Sequence, residues 1–319
     1  MRRTMSALLF VVMALGLLLS ISGAAEEAEA PGETAEQLFS GADAAGALRG
    51  YSEEEGYVYV TFGRYPQSID GGVPEEDQNT WKWQNAARTA KKKKRQDFDP
   101  EAIEKEPILW RVLSADEDKA YLLSEYILFA APMHGSIKEF RAFEGEFTKT
   151  DLWQTLNGSF AEEAFTEAEY AVLLDNDGLG KVFLPSSEET SDLALGFAKD
   201  VRKRVKVREN DGTVTNNVHS LNESRKAWAT EYAIRATGAY VYPVSQGSHS
   251  PYWMRDPVLS KEAGWQGRNT KNFGYIGRYA CTNPEEGARP GVLLDPKQVR
   301  IESGSGTRTD PYVIVPAGE

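Results

Sequence analysis

The 319-residue chain has one cysteine, Cys281, and three histidines, His134, His219 and His249. A single thiol excludes an internal disulfide, so burial alone must hold the fold, and Cys281 reads as a small buried hydrophobe rather than a reactive group. The histidines stand far apart without metal-ligand spacing. No His-Glu-x-x-His run, paired Cys-x-x-Cys or phosphate-cradling Gly-Lys-Ser/Thr loop occurs, and neither does a Gly-x-Ser-x-Gly elbow. Ser248-His249-Ser250 sets hydroxyls beside an imidazole, but adjacency in sequence does not orient one onto the other. No metal and no cofactor are expected. Positive charge is also short: 36 Lys and Arg against 48 Asp and Glu give a formal charge of −12. That balance argues against a nucleic-acid partner, whose phosphates demand a basic footprint.

Long apolar runs are confined to one place. Met1-Arg2-Arg3 is followed by an apolar stretch from Ala7 to Leu19 and then by Ser22-Gly23-Ala24-Ala25. A basic start, a short apolar centre and small residues at the end make a secretory signal peptide over 1–24. The stretch is shorter than the roughly 20 residues of a spanning helix; the rival reading is an uncleaved anchor. No cysteine stands at the end of the run, so a lipid-anchored mature end is not indicated. The mature chain is expected to be secreted or at the cell surface, with no transmembrane segment.

What is present is an acidic lead and then a long patterned region. Residues 25–55 are rich in carboxylates, alanine and glycine, a composition that reads as a flexible acidic linker with a weak helix from Ala35 to Leu48. A domain is expected over 56–302. It opens on a strand through Tyr57-Val58-Tyr59-Val60-Thr61-Phe62, punctuated by Gly63 and Pro66. Residues 67–106 change composition sharply and read as an insertion. Its basic run from Lys91 to Arg95 suits either a solvated face or an anionic envelope polymer. Ile108 to Leu113 and Lys119 to Ser124, around a polar turn, predict a hairpin.

Helical signals follow: Asp151 as an N-cap, capping boxes at Ser159–Glu162 and Thr166–Glu169, and another at Ser186–Glu189 leading through Leu193, Leu195 and Phe197. Asp175-Asn176-Asp177-Gly178 fails a calcium-loop test, because Leu184 stands where the loop needs its bidentate glutamate. A polar loop is read from Lys199 to Asn222, with near-helical spacing of Trp228, Tyr232 and Ile234 after it. Strands then recur around Trp253, Tyr275, Val292 and Ile301, and 303–319 read as a turn and a last strand. Strands, a block of helices, then strands again argue an α+β fold with a mixed, mostly antiparallel sheet.

The conspicuous landmark is Tyr252-Trp253-Met254-Arg255-Asp256-Pro257, with its echo Gly287-Ala288-Arg289-Pro290-Gly291. Side chains two apart share a strand face, so Trp253 and Arg255 can point the same way, and the prolines belong at strand ends or on an edge. Trp228, Tyr232, Trp253, Arg255, Arg278 and Arg289 form the candidate ligand-binding set, since arginine stacked on aromatics recognises carboxylate, sugar or peptide groups. The alternative for Arg255 and Arg289 is structural: a buried arginine paired with an acid such as Asp256. Carboxylates are too numerous for any catalytic pair to stand out.

Taken in order, Tyr59 to Gln67, Pro107 to Leu113, Tyr121 to Glu125, Trp153 to Asn157, Val182 to Leu184, Trp253 to Pro257 and Gly287 to Pro290 resemble a bacterial family of exported proteins with no established activity. The resemblance spans Tyr57 to Ile301. The last third is also similar, distantly, to the C-type-lectin-like fold of formylglycine-generating enzymes. That resemblance implies an architecture only: the cysteine pair of the enzymes is absent, and Asp256 and Gly291 depart from the family's serine and alanine. The expected function is an extracytoplasmic, non-catalytic binding module for an envelope glycan, peptide or protein. The alternatives are a secreted carboxylate-based hydrolase and a structural or assembly module of the envelope.

Overall fold

Residues 44–68, 105–200, 203–208, 214–219, 223–242, 249–260 and 264–318 are described by a computed structural model. The signal peptide, most of the acidic linker, the body of the insertion with Lys91–Arg95, and Ser248 lie outside the described residues.

Apolar residues build the main sheet, in continuous runs at its centre and alternating toward one edge. Its strands are β1 (Tyr59–Pro66), β2 (Lys105–Ala115), β3 (Ala120–Ser124), the short β5 (Leu173–Leu174) and β6 (Val182–Phe183), β13 (Gly291–Leu294), β14 (Val299–Ser303) and β15 (Tyr312–Pro316). The order is β14-β15-β1-β2-β3-β13-β5, with β6 also on β13. The β1–β15 pair is parallel and the other named pairs are antiparallel. The expected hairpin is β2–β3. All residues of β3 and β13 are buried, as strands covered on both faces must be. Trp110 of β2 is fully buried, donates its indole N–H to the Phe62 carbonyl at 2.8 Å, and stacks with Phe165.

The remaining strands are β4 (Phe129–Ala130) paired with β12 (Gly287–Ala288), the hairpin β7 (Lys203–Arg208) and β8 (Val214–His219), and a three-stranded sheet of β9 (Trp253–Ser260), β10 (Gly264–Thr270) and β11 (Ile276–Ala280). The β7–β8 hairpin replaces the loop expected there; Val205 and Val207 alternate with basic residues, a period-two pattern hidden by the surrounding charge. Pro257 sits in β9, which is an edge strand, where its missing N–H costs no ladder bond.

The helices are short. They are α1 (Ala44–Ala47), α2 (Ile137–Ala142), α3 (Asp151–Thr155), α4 (Ala161–Ala164) and α5 (Glu167–Ala171). Thr150, not Asp151, caps α3, its hydroxyl accepting from the Trp153 N–H. The Thr166–Glu169 capping box forms in full. No box forms at Ser159–Glu162, because the π-turn Leu156–Phe160 runs directly into α4 with Phe160 already helical. Ser186 and Glu189 exchange bonds but start only the 3-10 turn Glu189–Ser191, since Asp192 is extended. Ala44 and Leu48 are buried in the core, so packing begins within the stretch read as a linker. The two ends of the insertion meet where β1 pairs with β2, through Tyr65↔Glu106 and Pro66↔Lys105. The fold is α+β with mostly antiparallel sheets. Among the described residues no helix is long and apolar enough to cross a membrane.

Candidate anion-binding site

β3 lies between β2 and β13, and its last residue is followed at once by Glu125. Register places Arg111 of β2 opposite Leu123, and the Ser124 N–H donates to the carbonyl of Pro290, beside Arg289. Arg111 from β2 and Arg289 from the link between β12 and β13 thus converge on one carboxylate. The third comes from the turn between β14 and β15. The Tyr59 N–H donates to the Gly306 carbonyl at 2.8 Å, which draws that turn against β1 and brings Arg308 over the same group.

Arg111 donates through Nε to Glu125 Oε2 at 2.7 Å, with Nη2 at 2.5 Å from the same oxygen. Arg308 Nε is 3.4 Å from Oε1, and its Nη2 donates to the Tyr126 hydroxyl at 3.0 Å. Arg289 Nε donates to the Ser124 carbonyl at 2.7 Å, while Nη2 stands 3.9 Å from Glu125 and has no hydrogen-bond partner among the described residues. Aromatic rings wall the cluster: Arg111 lies 4.7 Å over Tyr57, and Arg289 lies 5.4 Å from the Tyr252 ring. Arg289 is fully buried and Arg111 and Glu125 are nearly so, whereas the Arg308 side chain is 36% exposed.

Three guanidiniums therefore face one carboxylate. Burial pushes the Glu125 carboxyl up, but Arg111, then Arg289 and Arg308, outweigh it and hold the group below the usual carboxylate range. Burial, and next the repulsion of Arg111, pull Arg289 below the ordinary arginine value. The phenols of Tyr57 and Tyr59 are both raised, chiefly by burial, so they stay neutral and supply no second negative charge.

No family model, curated protein or solved structure matches this chain.

Of the six residues singled out in the sequence, Arg289 alone belongs to the cluster. Trp253 is fully buried, donates its indole N–H to the Ala131 carbonyl at 2.9 Å, and packs on Gly267. Arg255 is locked to Glu189 by two bonds of 2.6 and 2.7 Å and to the Leu184 carbonyl at 2.9 Å. Its acid is Glu189, not the adjacent Asp256, which instead accepts from the Ser187 N–H. Trp228 is half-buried between the two apolar clusters, and Tyr232 packs edge-on against Tyr65. Arg278 is exposed on β11, opposite Arg268.

Sequence reading missed Arg111, Glu125, Arg308 and the tyrosines around them. A signal was there for two of them: Arg111 interrupts the apolar run Leu109-Trp110-Arg111-Val112-Leu113, and Glu125 ends the run Tyr121-Leu122-Leu123-Ser124. A charge inside a strand buried on both faces requires a partner of opposite sign. Nothing local announced Arg308.

A second polar nest lies at the β4–β12 end. Glu286, 3% exposed, accepts from Asn269 Nδ2 at 2.8 Å and Asn283 Nδ2 at 3.2 Å, and Asn269 Oδ1 is buried without a hydrogen-bond partner among the described residues. Burial raises the Glu286 carboxyl and lowers the nearby Lys271 amine. His249 Nε2 donates to the Lys271 carbonyl at 3.0 Å. Among the described residues no three His, Cys, Asp or Glu side chains gather into a metal-binding group.

Proposed function

We propose that the chain is an exported, extracytoplasmic binding module without catalytic activity, whose ligand is a glycan, peptide or protein of the cell envelope. One observation supports this reading above the rest. Three arginines surround a single carboxylate in an aromatic-walled cluster, and one of the three, Arg308, reaches solvent. Fixed, desolvated arginine beside tyrosine is the chemistry of an anchoring point in recognition surfaces. The signal-peptide pattern over 1–24 supports export, and the motif series from Tyr57 to Ile301 supports the resemblance to the exported-protein family and, with it, the C-type-lectin-like reading of the last third. The test is retention of the purified protein on isolated envelope fractions. Retention that falls when Arg308 is changed to Ala, with unfolding unchanged, supports the reading; absence of retention on every fraction counts against it.

A second reading, a carboxylate-based hydrolase, is favoured by Glu286, whose raised carboxyl suits a general acid. Hydrolysis of an envelope substrate that disappears in Glu286→Gln would establish it, and turnover unchanged in that variant would remove Glu286 from consideration.

A further inference from the structure

The cluster of Arg111, Arg289 and Arg308 does not close electrically around Glu125. Arg308 is partly in water, so solvent carries part of its charge. Arg111 and Arg289 are not: they are 6% and 0% exposed, and among the described residues they have one carboxylate between them. Arg111 takes that carboxylate with Nε and Nη2, leaving Arg289 at 3.9 Å. Among the described residues the buried part of the cluster thus holds one positive charge more than it has negative. An uncompensated buried ion is strongly unfavourable even after relaxation, far more so than a surface charge. The groups lining the site do not offset it: Tyr57, Tyr59, Tyr126 and Tyr252 present phenols, and Ser124 and Ser224 present carbonyl dipoles.

The donor inventory agrees with the charge. Arg289 spends Nε on the Ser124 carbonyl and Nη1 on the Tyr252 hydroxyl at 3.5 Å, and Nη2 is left with both of its hydrogens unspent in a buried setting. Guanidinium donors match the lone pairs of a planar oxyanion, and a single carboxylate cancels the single buried surplus charge.

We propose that this cluster is a binding site for a carboxylate group, which joins the Arg289 Nη2 donor to Arg308 at the solvent edge of the site. The proposal rests on the binding-module reading for its biological ligand, an acidic sugar or the carboxyl end of a peptide, but not for its chemistry. Of the three guanidiniums Arg308 is the one that meets solvent, its side chain 36% exposed, and it is carried on the turn between β14 and β15. That turn is specified by glycine: Gly304 (φ +91°) and Gly306 (φ +77°) are left-handed, and a Cβ on Gly304 would clash with the Pro311 carbonyl oxygen.

The experiment titrates the purified protein with sodium acetate at constant ionic strength, reading heat of binding and thermal midpoint, with sodium chloride and sodium phosphate in parallel. Acetate is expected to bind saturably and raise the midpoint, with chloride weaker at the same concentration. Arg308→Ala, a change at a partly exposed position, should weaken acetate by about tenfold, the loss of one charge-assisted contact. Arg289→Met should abolish the acetate effect while remaining folded, because it removes the surplus charge itself. An acetate effect that equals chloride and phosphate, or that survives in both variants, overturns the carboxylate site. Saturable acetate binding without retention on envelope fractions sustains the site and removes the envelope ligand. Retention on envelope fractions without any acetate effect does the reverse.

Discussion

Arg289 Nη2 stands 3.9 Å from Glu125 Oε2, an oxygen that Arg111 already holds at 2.5 Å. The relation is asymmetric: Arg111 has its counter-ion, and Arg289, though completely buried, shares it only at a distance. The two arginines therefore make opposite contributions. Arg111 is half of a well-formed buried pair, and Arg289 carries a charge that no described residue meets at contact distance.

Removal of Glu125 should be severe. Glu125→Gln leaves Arg111 and Arg289 facing each other with no carboxylate, and breaking a buried pair on one side costs about 3–5 kcal/mol. Urea unfolding monitored by tryptophan fluorescence reads this as a lowered midpoint. A loss of only a few tenths of a kcal/mol would mean that water reaches the cluster freely.

The acid response should be set by carboxylates of opposite character. Glu125 and Glu189 have folded-state pKa values below the ordinary 4.5; their arginine partners overcome the opposing effect of burial. Their stabilisation is in full force above that value and is lost as pH falls through the lowered ones. Glu286 is raised by burial, so its contribution is present below 4.5 and declines as pH rises through its raised folded value. Glu286→Gln should flatten stability from pH 4.5 upward, and Glu189→Gln should flatten it on the acid side. The same slope in wild type and Glu286→Gln over the upper window would contradict this assignment.

How much of this was legible in advance follows from range. The β2–β3 hairpin, the Thr166–Glu169 capping box and the segregation of strands from helices are written in neighbouring residues, and local pattern reports them. Trp253 looked like a recognition residue because its strand also carries Arg255. What decides its role is Gly267 beneath it and the Ala131 carbonyl beside it, 122 residues away in sequence. The anion cluster is less local still, since Arg111, Glu125, Arg289 and Arg308 meet only because β13 pairs with β3 and the final turn folds back onto β1.

Trp253→Ala is expected to destabilise the protein by about 3–5 kcal/mol, the cost of a buried Trp replaced by a cavity. Any binding it loses should be matched by lost cooperativity in thermal unfolding. A Trp253→Ala protein with an unchanged midpoint would place the indole at the surface instead.

Gly304→Ala should cost about 1–3 kcal/mol, because the left-handed backbone and the Pro311 carbonyl both resist a Cβ. It should also weaken acetate binding, since the turn that carries Arg308 must shift to admit the methyl group. A loss of stability with acetate affinity intact would separate the turn from the site.

The most direct measurement of the surplus charge is the stability of Arg289→Met against wild type, with and without acetate. The substitution leaves the Ser124 carbonyl without its Arg289 bond, at about 1–3 kcal/mol, but removes a buried unneutralised charge worth several. In buffer free of carboxylates, Arg289→Met should unfold at higher urea than wild type, and saturating acetate should reverse the order by stabilising wild type alone. An Arg289→Met protein less stable than wild type in both buffers, by the same amount, would contradict the claim that the cluster awaits an anion.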